Sequence, residues 1–571
     1  MGPRQTSRLR LISAFIIAIV LLLIGKLYFL QIVSGKDFRV RAERQYLRPN
    51  ESIFNRGGIF FQNKDQSLVG SAILKVGFTL GINPKVLENP RAAFEKINAI
   101  VPIDEKNFLA RAAQKESLYV VVAKKVDESA AKQISALKII GVLVYKDQYR
   151  FYPLRSLASN VLGLVGYKGD TLAGRYGLES YYEDVLSRNT SSLYSNFFAE
   201  IFSGLKKSVD TKSKFEGDIV TSIEPTVESF LEKELVSIQE KWESRATGGI
   251  IMNPANGEIY ALGNYPTFDP NDLQNEKNPA IFSNPIVENV YEMGSIVKPL
   301  TMAAGIDSGT LTPETTYEDK GFLILNNSKI SNFDGKGRGV VNMQTILNES
   351  LNTGAAYIAN KMGKDLFADY FRRFGLGEET GIDLPNETPG LIENLKSPRD
   401  IEHATAAYGQ GIAMSPINTL RALASLANGG YLVTPHLVKR IDYKIGVSKN
   451  ITYEKGTRVL KAGTSEEISR MLVNVVDKAL LGGTVKIENY SVAAKTGTAQ
   501  IAKQGGGGYY SDRYLHSFFG YFPAYNPKFI VFLYTIEPKG VGGDFASHTL
   551  TAPFINIVKF LINYYKIPPD R

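Results

Sequence analysis

Apolar residues follow three spacings along this chain. The first is a continuous run, Leu11–Val33, LISAFIIAIVLLLIGKLYFLQIV. As a helix its 23 residues would reach about 34 Å, enough for a bilayer core of about 30 Å. Lys26 is its one charge and sits near enough to the distal end to snorkel to the interface. A cleaved signal peptide has an apolar core of only about 7–15 residues and a small-x-small site. No such site follows here, so the run reads as an uncleaved anchor behind a cytoplasmic tail, residues 1–10. Arg4, Arg8 and Arg10 precede it, while Lys36, Arg39, Arg41, Arg44 and Arg48 follow. Flanking charge alone therefore does not set the topology, although a long following domain translocates regardless.

The second spacing is mixed. Residues 36–60 are basic and then turn-rich, and FNRGGIFFQNKDQSLVG reads as strand, turn and strand. From about Pro84 to Leu143 the spacing is helical, with stretches such as ESAAKQISALKIIG that stop at Gly141. Residues 150–186 read as short helices and turns, and Ser, Asn and Lys cluster as a linker between Arg188 and Asp218. The domain boundary falls near residues 215–245. That gives an anchor at 11–33, a pedestal at 36–215 and a second domain at 216–571.

The third spacing, in the second domain, starts and ends with strands. TGGIIMNPANGEIYALGN predicts a hairpin turning at NPANGE. Helical spacing dominates from Ser295 to Ala427; strands return as SVAAKTGTAQIA, YLHSFFGYFPA and KFIVFLYTIEP, and a last helix is expected over Thr549–Tyr565. Strands bracketing a helical middle predict one sheet assembled from both ends of the domain, an α+β arrangement. No repeat of 20–50 residues interrupts this plan.

Composition changes little. The chain of 571 residues is too long for one core, and 44% apolar with 22% charged residues is a globular balance. Cysteine is absent, which excludes disulfides, thiolate zinc sites and a cysteine nucleophile. A formal charge of +9 fits a solvated surface of both signs, or affinity for anionic lipid or cell-envelope polymer. No basic run interleaved with aromatics argues for nucleic acid.

The candidate chemistry begins with Ser295 and Lys298 in YEMGSIVKPL, a hydroxyl and an amine that share a face if the segment is helical. Alone the spacing is weak, because it recurs at Ser129–Lys132, Ser135–Lys138 and Ser203–Lys206. Ser350–Asn352 has rivals at Ser187–Asn189 and Ser448–Asn450, whereas Lys495-Thr496-Gly497 occurs once, on a predicted strand. Taken in order, Ser-x-x-Lys at a helix start, Ser-x-Asn between helices and Lys-Thr-Gly on a strand form the set found in penicillin-binding proteins and serine β-lactamases. Through RGGIF, RFYP, GRYGLESYYEDVL, YEMGSIVKPLTMAAGIDSGTL, ESLNTGAAYIANKMG, FGLGEETGIDLPNE, AYGQGIAMSPINTLRALASLANGG and AAKTGTAQ, the chain resembles the class B penicillin-binding proteins from the anchor to the last helix.

That resemblance implies a penicilloyl-serine transferase (β-lactamase-like) fold, an antiparallel sheet flanked by helices, behind a transmembrane helix and an elongated pedestal. It implies a peptidoglycan D,D-transpeptidase. Ser295 would be the nucleophile on a D-Ala-D-Ala stem peptide or a β-lactam, Lys298 the base, its pKa lowered by burial and by Lys495. Ser350 would relay a proton to the leaving amine and Asn352 would hold the substrate amide. Lys495 and Thr496 would bind the substrate carboxylate, and Gly497 would let substrate lie along the strand edge. Backbone N–H groups of Ser295 and Thr498 would form the oxyanion hole. The implied partners are the cytoplasmic membrane, a SEDS-family glycosyltransferase and, in a septal role, division-complex proteins; no cofactor is implied. Met293 and Ala494 depart from the usual proline and glycine.

Other chemistries find less support. His403, His436, His516 and His548 are scattered without HExxH, so no catalytic metal is expected. GxSxG and GxxxxGK[ST] are both missing. Gly335–Gly339 reads as a turn and Gly505–Gly508 as a mobile strand connection bordering the site. The alternatives to septal transpeptidation are an elongation transpeptidase, a serine β-lactamase, for which no Glu-x-x-x-Asn lies between Ser350 and Lys495, and a non-enzymatic β-lactam sensor or scaffold.

Overall fold

A computed structural model describes residues 19–23, 25–26, 54–169, 171–188, 216–274, 276–444, 446–503, 505–540 and 543–571. Most of the apolar run Leu11–Val33, the basic stretch after it and the linker lie outside the described residues, as do the decoys Ser203–Lys206 and Asn189. No helix among the described residues is long and apolar enough to cross a membrane.

The chain divides into two compact units. The smaller takes in Lys75–Tyr149; the larger holds Arg56–Leu74, Arg150–Arg188 and the described residues of 216–571. In the smaller unit, helices Pro90–Asn98, Glu105–Ala112 and Glu128–Ala136 pack Phe94, Ile97, Phe108 and Ile134 against Leu80, Ile82 and Val126. Val120–Val126 is a strand, not part of a helical stretch. Its β-branched run VVVAKKV suits a pleated surface better than a helix. The helix at Glu128 is capped by Asp127, whose side chain accepts from Ala130 N at 2.8 Å. It ends at Ala136, ahead of Gly141, because Lys138 turns left-handed at φ +50°.

In the larger unit, the early segments join the core through a buried ion cluster. Arg56 Nε and Arg150 Nε donate to the two oxygens of Glu179 at 2.5 and 2.6 Å, and Ile59, Phe61, Tyr152 and Leu178 enter the same apolar cluster as Ile250 and Leu262. Residues 165–168 and 171–174 pair as a hairpin where short helices and turns were expected.

The central sheet is the one expected from both ends of the domain. Strands β1 (Ala246–Met252) and β2 (Ile259–Tyr265) follow helix α1 (Pro225–Trp242). The middle segment carries α2 (Lys298–Asp307), the short strands β3 (Thr316–Asp319), β4 (Phe322–Leu325), β5 (Ser328–Ser331) and β6 (Gly339–Asn342), then α3 (Met343–Asn348) and α4 (Asn352–Met362). The chain closes with β7 (Ala493–Ala502), β8 (Tyr509–Phe522), β9 (Phe529–Ile536) and α5 (Thr551–Tyr565). The sheet order is β7-β8-β9-β1-β2, antiparallel throughout.

Side-chain alternation sorts this sheet onto two cores. Ile250, Phe519, Tyr521 and Phe532 face the helical middle. Ile251, Phe518, Val531 and Leu533 face α1 and α5 through Val227, Leu231, Phe554 and Ile557. Every residue of β9 is buried, so its sequence FIVFLYTI is apolar on both faces. The four short strands β3–β6 fall inside the stretch expected to be helical; β3 pairs β6 and β4 pairs β5. The glycine run 505–508 joins β7, at the sheet edge, to β8, an inner strand.

Candidate active site

Ser295 sits in a one-turn 3-10 segment, Gly294–Val297, that leads into α2. Gly294 makes the entry at φ +64°, a conformation costly for any residue with a Cβ. It also fits a narrow gap: an added Cβ would meet the Thr498 carbonyl oxygen at 2.9 Å. Across Met293–Gly305 every residue is buried except Ser295, so this turn opens one hydroxyl to the cleft.

Lys298, 1% exposed, points back along the helix face to that hydroxyl. Its Nζ lies 2.9 Å from Ser295 Oγ, 2.5 Å from the Ser350 carbonyl oxygen, 3.2 Å from Ser350 Oγ and 2.8 Å from Asn352 Oδ1. Burial first, and the neighbouring Lys495 second, hold its pKa well below the usual lysine value. Ser350 breaks from α3 at φ +54°, a strained conformation of the kind kept at functional sites. The strain aims its carbonyl and its hydroxyl at the same amine.

Lys495 and Gly497 share one face of edge strand β7. Lys495 Nζ is 3.0 Å from Ser350 Oγ and 2.9 Å from the Thr496 carbonyl oxygen, and burial lowers its pKa to about 7. The structure thus brings Ser295, Lys298, Ser350, Asn352 and Lys495 into one hydrogen-bonded cluster. Thr498 accepts at Oγ1 from Ala546 N at 3.1 Å, which leaves its O–H free to donate. As an edge strand, β7 turns alternate backbone groups away from β8.

Gly497 needs a different explanation from the one its sequence context invites. A Cβ there would lie 2.3 Å from Ser517 Oγ, 2.7 Å from the Met293 carbonyl oxygen and 3.0 Å from Ile296 N. The missing side chain makes room for the nucleophile's own turn, not for substrate. Ser517, paired with Gly497 across β8, completes the seat by donating Oγ–H to Met293 O at 2.7 Å. Neither Ser517 nor Ser331, whose carbonyl holds the Asn352 amide at 2.9 Å, stands in any motif. Only the sheet register or the folded loop reveals them.

The histidines are not part of this cluster. His403, His436 and His516 are buried and bonded to backbone carbonyls or to Thr549. Among the described residues no three His, Cys, Asp or Glu side chains are grouped to hold a metal.

Comparison with known proteins agrees with this geometry. Residues 247–558 match the penicillin binding protein transpeptidase domain, and residues 55–193 match the penicillin-binding protein dimerisation domain. Stage V sporulation protein D of Bacillus subtilis is 29% identical, over 99% of this chain and 87% of its own length. Peptidoglycan D,D-transpeptidase FtsI of Buchnera aphidicola is 26% identical, over 96% of this chain and 93% of its own length. The crystal structure of penicillin binding protein 2X from Streptococcus thermophilus superimposes with a TM-score of 0.71 at 20% identity, covering 89% of this chain and 79% of that one. A transpeptidase domain behind a dimerisation domain, with the serine, lysine and strand elements assembled as above, makes this chain a member of the class B penicillin-binding proteins.

Proposed function

We propose that this chain is a peptidoglycan D,D-transpeptidase working through an acyl-enzyme on Ser295. One observation carries the reading: a buried lysine whose pKa is held low stands 2.9 Å from a cleft-facing serine hydroxyl. Lys298, as the neutral amine, takes the Ser295 proton while Oγ attacks the carbonyl between the two D-alanines of a stem peptide. General-base assistance of this kind is worth about 10²–10⁴ in rate. The oxyanion forms against backbone N–H groups of Ser295 and Thr498, a contact worth roughly 10²–10³. Ser350, in reach of both lysines, passes a proton to the departing D-alanine amine. An amine of a second stem peptide then attacks the ester, forming the cross-link and restoring Ser295. Lys495, Thr496 and the Thr498 hydroxyl receive the substrate carboxylate, the group a β-lactam imitates.

The run at residues 11–33 supports a single-pass anchor with the catalytic unit outside the cytoplasmic membrane, and a SEDS-family glycosyltransferase is the expected partner. The stretch TAPFINIVKFLINYYKIPP resembles septal enzymes more than elongation ones and supports a septal role. Labelling with a fluorescent penicillin tests the core of the reading. Wild type should give a stable adduct that Ser295→Ala lacks; rapid drug turnover would favour a β-lactamase, and label independent of Ser295 would refute the assignment. Imaging a tagged chain at midcell or along the lateral wall decides the cellular role.

A further inference from the structure

We propose that Asp319 and Asn332 are positioning residues that fix the Asn352 amide and, through it, the direction of the Lys298 lone pair. This rests on the reading of Lys298 as the base. A neutral amine has two N–H donors and one lone pair. Two groups around Nζ can only accept: the Ser350 carbonyl at 2.5 Å and Asn352 Oδ1 at 2.8 Å. They take both N–H groups, so the lone pair is left for a hydroxyl, and Ser295 Oγ at 2.9 Å lies nearer to it than Ser350 Oγ at 3.2 Å. If the Asn352 amide were reversed, its NH2 would face Nζ and draw the lone pair away from Ser295.

What prevents reversal is the Ser331 carbonyl, which accepts from Asn352 Nδ2 at 2.9 Å. Ser331 ends β5, and the next residue, Asn332, is gripped on every side. Its Nδ2 donates to Asp319 Oδ2 at 3.0 Å and to the Lys336 carbonyl at 3.2 Å, while its Oδ1 accepts from Thr353 N at 3.2 Å. Asp319 also accepts from Gly321 N at 3.0 Å, Thr353 Oγ1 at 2.8 Å and Arg338 N at 3.1 Å. Asp319 and Asn332 are 2% and 3% exposed. Residues 352–353 at the start of α4 are therefore stitched to 331–332, with a buried carboxylate as the knot. Every group that reaches Asp319 is a donor, so an amide there would oppose donor to donor.

Lys495 is the titratable group facing Lys298 from β7; Tyr317, Arg338, Asp334 and Glu349 surround the loop held by Asp319. The test measures the acylation rate constant with a fluorescent penicillin across pH for the full chain and for Asp319→Asn, Thr353→Val and Thr353→Ser, with thermal unfolding in parallel. Losing the Asn352 acceptor removes a contact that favours the ammonium form. Asp319→Asn and Thr353→Val should therefore lower the plateau about tenfold and move the acid limb by about half a unit to lower pH. Thr353→Ser, which keeps the hydroxyl, should restore both. An unmoved acid limb in folded Asp319→Asn or Thr353→Val overturns the proposal. If Asp319→Asn does not fold, the Thr353 pair decides alone. Absence of Ser295-dependent label in the wild type would instead sink the underlying assignment of the base.

Discussion

Replacing Gly497 with alanine probes the seat of the nucleophile without touching a reactive group. The new methyl would start 2.7 Å from the Met293 carbonyl oxygen and 3.0 Å from Ile296 N, both backbone atoms that cannot rotate away. The third neighbour, Ser517 Oγ, is tied to that same carbonyl at 2.7 Å. Ordinary contact begins at 3.4 Å, so the turn carrying Ser295 must retreat by about 0.7 Å. Overpacking on this scale costs about 1–3 kcal/mol, and a displacement near 1 Å in a catalytic array costs about 10²-fold in rate. Stopped-flow acylation should show a rate constant down about 10–10²-fold, while denaturant unfolding shows a fold that survives. Acylation within twofold of wild type would refute the placement of Gly497 beneath the turn. The substrate-edge explanation predicts a different pattern, because there the alanine would weaken substrate binding and leave the acylation step intact.

Four further outcomes follow from the same geometry. Lys298→Arg fills the site with a cation that cannot give up its proton, so acylation should fall about 10²–10⁴-fold at every pH tested. Lys495, with a pKa near 7, should hold a substrate carboxylate best in acid; apparent affinity measured by competition should weaken as pH rises through 7 and not before. Glu179→Gln removes the carboxylate shared by Arg56 and Arg150, and the orphaned buried charges should cost about 3–5 kcal/mol in urea unfolding. Burial raises the Glu232 carboxyl from 4.5 to about 7. The unfolded chain then releases this proton first, together with that of the adjoining Glu228, whose buried carboxyl is also pushed up, and stability should fall as pH rises from 5 to 7. Glu232→Gln should lessen that slope, leaving the part due to Glu228, and an unchanged slope would show the proton is held elsewhere.

The site was legible where its parts are local. Ser295 and Lys298 are one helical turn apart, and their order with Ser350–Asn352 and Lys495–Gly497 sets them apart from the same spacing elsewhere; the Lys-Thr-Gly strand is marked by its own alternation and by the long apolar strands after it. The sheet was legible for the same reason, since each of its strands carries a strong local pattern. What escaped is what packing decides. Strand alternation puts Gly497 on the same face as Lys495, yet nothing in the residue order says that this face is filled by the Met293 turn. Val120–Val126 and the short strands β3–β6 escaped because each is brief and flanked by helical spacing, with its ladder partner distant or unremarkable. Asp319, Asn332 and Ser331 lie on such strands or beside them, where only the folded loop reveals which carbonyl meets which amide.

The sheet built from both ends of the domain sets a clock on activity. Ala246 pairs with Ile536, and the turn that presents Ser295 rests on Gly497 and Ser517. The ladder between β1 and β9 therefore cannot close until nearly the whole polypeptide has been synthesised, and such distant pairings form slowly because a long loop must be ordered first. A nascent or C-terminally clipped chain contains the serine and its lysine but not the surface that seats them. A chain cut before β7 should therefore take no penicillin label, although it still carries Ser295 and Lys298.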